Sequence, residues 1–155
     1  MSAATEAAVP DPRHVELDPG LPLELHPAEA IEAMLDRGSL SDWRRVAAEI
    51  RRDPWGRVAR IVETITSWDE HSGVDALMRE VIVRASEQVD RSGRERYAAQ
   101  IRAWRARTGL SQREFARAAG TSAPRLSDYE RAKVAPTTDV LARLEHVAAS
   151  RSERR

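Results

Sequence analysis

The stretch Thr108–Pro136, TGLSQREFARAAGTSAPRLSDYERAKVAP, admits few folds. Ser111 stands three residues before Glu114, the spacing of a capping box. In such a box the serine oxygen takes the Glu114 amide and the carboxylate returns to the Ser111 amide. Behind this cap Phe115, Ala116 and Ala119 share a helical face, and Gly120 tolerates the positive φ that follows a helix end. Ser122 opens a second short helix, in which Leu126 and Tyr129 fall three apart and point inward. Ala123, Pro124, Arg125, Ser127 and Asp128 must then point elsewhere. A short helix tied at an angle to its predecessor, with a capped and outward-facing first turn, has the shape that a DNA major groove admits.

These residues carry a family resemblance. Gly109-Leu110-Ser111-Gln112, Phe115-Ala116, Gly120-Thr121-Ser122, Leu126-Ser127, Tyr129-Glu130-Arg131, Lys133 and Pro136 together resemble the Xre-type helix-turn-helix domain of phage repressors and bacterial regulators, over about residues 97–147. The resemblance implies a four- to five-helix, lambda-repressor-like bundle. It implies that Gln112 touches a phosphate from the start of the scaffold helix. Ala123, Pro124, Ser127 and Asp128 occupy positions that face base edges, and Arg131 and Lys133 flank the backbone. With Arg113, Ser122 and Arg125, these make up the expected DNA-binding set. Ala132 stands where the family usually has glycine, which would let the second helix end differently or run on. Ala123 and Pro124 cannot make bidentate base contacts, so direct readout would lean on Arg125, Ser127, Asp128 and contact with thymine methyls.

Charge is divided along the chain. Residues 94–155 carry 14 Arg and Lys against 7 Asp and Glu, a net of +7, whereas residues 1–93 carry 11 against 18, a net of −7. A basic C-terminal half is the electrostatic footprint of a phosphate-binding module. There is no cysteine, which excludes disulfides and thiolate metal sites. No basic-then-apolar leader opens the chain and no apolar run approaches the ~20 residues that span a bilayer, so a cytoplasmic protein without membrane contact is expected.

Everything else reads as helix, giving an all-α fold. Residues 1–26, rich in proline and acids, form an acidic arm expected to be disordered, either folding over the basic surface or serving as a solubilising terminus. Residues 27–92 form an N-terminal helical module. Pro27 suits a first helical position, Ile31, Met34 and Leu35 share a face, and Gly38 ends that helix. Ser41 is expected to cap a helix bearing Trp43, Val46, Ala47 and Ile50. Asp53-Pro54 is expected to open the next, with Val58, Ile61, Val62 and Ile65 inward and Trp68 one turn beyond. After a loop at Asp69-Glu70-His71-Ser72-Gly73, Val74, Leu77, Met78, Val81 and Ala85 line a fourth helix. Arg91-Ser92-Gly93 is read as the boundary, or else a kink, before residues 93–149, the DNA-binding domain. Thr137 caps its last helix, which buries Val140, Leu141, Leu144, Val147 and Ala148. Residues 150–155 are a basic tail that adds phosphate contacts or frays.

Catalytic chemistry finds no support. His14, His26, His71 and His146 are scattered without metal-ligand spacing, and no phosphate-cradling glycine loop or Gly-x-Ser-x-Gly occurs. No enzyme activity, metal or cofactor is expected. Trp43 and Trp104 read as core, and Trp55, off the main stripe, and Trp68, closing the third helix, are candidate exposed partner anchors. The expected function is a sequence-specific DNA-binding transcriptional regulator, a homodimeric repressor on double-stranded DNA. The alternative is an antitoxin of a bacterial toxin–antitoxin pair, holding a toxin through residues 1–92 and its own operator through the helix-turn-helix.

Overall fold

The computed structural model describes residues 20–67 and 73–152. The expectations for the arm before residue 20, for Trp68 and the Asp69–His71 loop, and for the last three residues lie outside the described residues. Among the described residues all regular structure is helical: a short 3-10 turn at Leu23–Leu25, then α1 (Ala28–Arg37), α2 (Leu40–Arg52), α3 (Arg57–Thr66), α4 (Gly73–Thr108), α5 (Gln112–Ala118), α6 (Ala123–Glu130) and α7 (Thr138–Ser152). The chain divides into two compact units between Ser86 and Glu87. α4 runs unbroken through Arg91-Ser92-Gly93. One interior glycine costs a helix only about 1 kcal/mol, too little to break 36 residues of it.

The first unit closes over Ile31, Met34, Leu35, Val46, Ala47, Ile50, Val58, Ala59 and Val62, with Met78, Ile82 and Ala85 from the start of α4. Amphipathic helices this short are not stable alone, so mutual burial of these faces is what holds them. Two helix starts differ from expectation. The cap of α2 is Ser39, not Ser41: Ser39 Oγ accepts the Asp42 amide and the Asp42 carboxylate accepts the Ser39 amide at 2.8 Å. Aspartate closes this box where glutamate is the commoner sign. Asp53 ends α2 instead of opening α3. Its carboxylate accepts the Trp55 amide at 3.3 Å and its carbonyl the Gly56 amide at 3.1 Å, a tight turn that delays α3 to Arg57. On α4 the buried stripe is Met78, Ile82 and Ala85, spaced four and three apart. Leu77 falls off that stripe and is exposed, as is Trp55, while Trp43 is half-buried against the core.

The second unit packs Ile101 and Trp104 of α4 with Phe115, Ala116, Ala119, Leu126, Tyr129, Leu144 and Ala148. Thr137 caps α7, its hydroxyl accepting the Val140 amide at 3.4 Å, and α7 continues through Ser152 into the segment read as a tail. α5 and α6 end in the same way. Gly120, at φ +66°, lets the Thr121 amide reach Ala116 O and its own amide reach Arg117 O. Ala132 does this for α6 at φ +57°, with Lys133 N to Asp128 O at 3.0 Å and Ala132 N to Tyr129 O at 3.1 Å. Both are Schellman motifs. The helix stops where a glycine would stop it, but with a Cβ in the left-handed region, which is unfavourable for L-residues. Ala132→Gly is therefore expected to stabilise the unit by about 0.5–1 kcal/mol, read as a thermal midpoint raised by a few degrees.

Candidate nucleic-acid interface

The geometry of α6 follows from what it buries. Leu126, Tyr129 and Glu130 face the bundle and are almost fully buried. At the other side Ser122, Pro124, Arg125, Arg131 and Lys133 are exposed, and Ser127 and Asp128 are half-exposed. Ser122 Oγ accepts the Arg125 amide at 3.3 Å, and Pro124 fits the first turn, where its missing N–H leaves no carbonyl unpaired. Ala123 is half-buried against the core, so its methyl serves packing as much as any outer surface. On α5 Arg113 is exposed and Gln112 half-buried.

A buried carboxylate fastens α6 to α4 and α5. Glu130 accepts Arg105 Nε at 2.6 Å on Oε1 and Gln112 Nε2 at 2.8 Å on Oε2. Its backbone carbonyl also takes the Arg102 guanidinium. A carboxylate inside an apolar bundle is costly unless paired and hydrogen-bonded, and both conditions are met here. The family resemblance implies a phosphate for Gln112 and gives Glu130, Arg105 and Arg102 no role. A signal for them exists in the helical wheel. Glu130 lies four residues after Leu126 on the inward face, so it needs a cation, and Arg105 adjoins the buried Trp104. One Gln112 amide hydrogen is committed to Glu130, and an NH₂ group carries two.

The remaining cations differ in freedom. Lys133 lies 3.8 Å from Asp128, and Arg143 pairs with Asp139 at 3.2 Å while reaching toward Gly120 O at 3.5 Å. Arg125 donates through Nε to the Tyr129 hydroxyl at 3.3 Å and joins no ion pair among the described residues. At the N-terminus of α5 the Ser111 hydroxyl and amide hold the Glu114 carboxyl below its usual 4.5. A depressed folded pKa means this cap contributes fully above 4.5 and is lost as pH falls through the folded value. The Asp42 carboxyl, lowered from 3.8 by Ser39, behaves the same way. Helicity by circular dichroism is accordingly expected to hold at pH 5 and decline below about pH 4.

Among the described residues no cluster of three or more His, Cys, Asp or Glu could hold a metal, and no helix is long and apolar enough to cross a membrane. Residues 101–148 match the helix-turn-helix family model. No curated protein and no solved structure matches the chain. The matched segment runs from the buried Ile101 of α4 to the buried Ala148 of α7, and so takes in the residues that cluster around Phe115 in the second unit. Residues 101–148 are thus a helix-turn-helix domain of the Xre, lambda-repressor-like kind, a DNA-binding fold of transcription regulators.

Proposed function

We propose that the chain is a sequence-specific transcriptional regulator, a homodimeric repressor that places α6 in the major groove of double-stranded DNA. The observation that carries this reading is the outer face of α6, with Ser122, Pro124 and Arg125 exposed at its leading turn and Arg131 and Lys133 exposed just past its end, while its other face is anchored in the bundle. Two copies would present two such helices to successive grooves about 34 Å apart on a near-palindromic site. The net +7 of residues 94–155 would supply affinity by counterion release. Gln112, whose amide spends one hydrogen on Glu130 and carries a second, and Arg113 would take phosphates beside the groove.

Arg131 gives a cleaner test of backbone contact than Lys133, whose removal also releases Asp128. Arg131→Ala is expected to weaken binding to all duplexes alike and to reduce the salt slope by about 1. Retardation of labelled duplexes at several salt concentrations checks it. An unchanged slope would remove Arg131 from the interface.

The second reading, an antitoxin that holds a toxin through its N-terminal part, is favoured by Trp55. This residue is 53% exposed on a unit with its own core, and large aromatic side chains of this kind anchor protein interfaces. Tandem purification of the native chain, with and without Trp55→Ala, separates the two. A small partner lost on that substitution supports the antitoxin, and a chain that purifies alone counts against it.

A further inference from the structure

We propose that Arg125 reads a guanine through its N7 and O6, and that Tyr129 holds it in position to do so; this rests on the DNA-binding reading of α6. Along the leading turn Ser122-Ala123-Pro124-Arg125, only Arg125 is a long donor, since Ala123 and Pro124 bring no polar side chain. Its guanidinium is anchored from behind by Nε donation at 3.3 Å to the hydroxyl of Tyr129, a residue 4% exposed and packed in the core. Among the described residues no carboxylate pairs with it: Glu130 is turned inward to Arg105 and Gln112, and Asp128 faces Lys133. With Nε occupied, the two Nη groups remain as parallel donors on an exposed side chain. That fork matches the paired acceptors of guanine in the major groove, whereas adenine presents a donor beside its N7. The residues of a recognition helix that reach base edges lie at its N-terminal end, which is where Arg125 stands. A side chain already held at one end also loses less freedom on binding, which favours a contact of defined geometry over a loose phosphate contact.

The test uses the full chain and duplexes selected by it from a random pool. Replacing the read guanine by adenine, or by 7-deazaguanine to delete N7, is expected to weaken wild-type binding about ten- to a hundredfold. Arg125→Ala is expected to bind the guanine and substituted duplexes equally, and Arg125→Lys, without the planar fork, to show a smaller guanine preference than wild type. Tyr129→Phe, which removes only the hydroxyl, is expected to shrink the guanine preference in wild type and to change nothing when Arg125 is already alanine. Two results would overturn the inference while leaving DNA binding intact: Arg125→Ala weakening every duplex by the same factor, or selected sites with no guanine sensitive to 7-deaza substitution. A chain that retains no duplex from the pool would remove the DNA-binding reading itself.

Discussion

Glu130→Ala is expected to lower the stability of the helix-turn-helix unit by about 3 kcal/mol, because removing one member of a buried charge pair strands the other. The Glu130 side chain is 8% exposed and that of Arg105 31%, so Arg105 regains some water and the loss belongs at the lower end of the range for such pairs. Gln112 loses its acceptor at the same time, and the start of α5 loses a tie to the end of α6. Glu130→Gln keeps the shape and one acceptor oxygen, and should cost clearly less. Urea unfolding followed by circular dichroism measures both. Equal and small losses for the two variants would show that the carboxylate holds nothing together. The consequence for binding follows from geometry: without the Glu130 carboxylate, α6 loses its side-chain ties to Arg105 and Gln112 and leans on the packing of Leu126 and Tyr129, so affinity for DNA should fall by more than the unfolded fraction explains.

The second large effect lies in the core. Phe115 is 0% exposed and sits where α4, α5, α6 and α7 converge. Phe115→Ala removes most of a buried aromatic ring and leaves a cavity, a change that costs about 3–5 kcal/mol. A unit of this size holds about 0.05–0.15 kcal/mol per residue, so that loss is a large fraction of its margin. The variant is expected to be largely unfolded over its C-terminal half at 37 °C and to bind no DNA, whereas Phe115→Leu should fold and bind. A well-folded Phe115→Ala protein with a loss below about 1 kcal/mol would mean that the ring is not central to the packing.

The legible parts of this chain were those set by short-range chemistry. The Ser111–Glu114 box, the Ser122 cap and the Gly120 turn depend on residues within five positions of one another, and each stands where the sequence placed it. Local signals also misled. Asp53-Pro54 fits a helix start and a turn equally well, and the turn forms, with Asp53 closing α2 and Gly56 preceding α3. Leu77 fits the helical stripe of α4 until Ile82, four residues after Met78, claims the buried face. Ala132 shows tertiary fit overriding preference, since it holds a left-handed φ that its type disfavours. Least legible was the bond from Gln112 to Glu130, eighteen positions away, because nothing local announces which inward carboxylate a glutamine will meet.

Major-groove occupancy by α6 is most directly tested by dimethyl sulfate protection on a duplex selected from the random pool. The reagent methylates guanine N7 in the major groove and adenine N3 in the minor groove. The expected result is N7 protection in two clusters about one helical turn, ~34 Å, apart, with adenine N3 between them left reactive. Protection confined to adenine N3, or no retained duplex even at low salt, would contradict it.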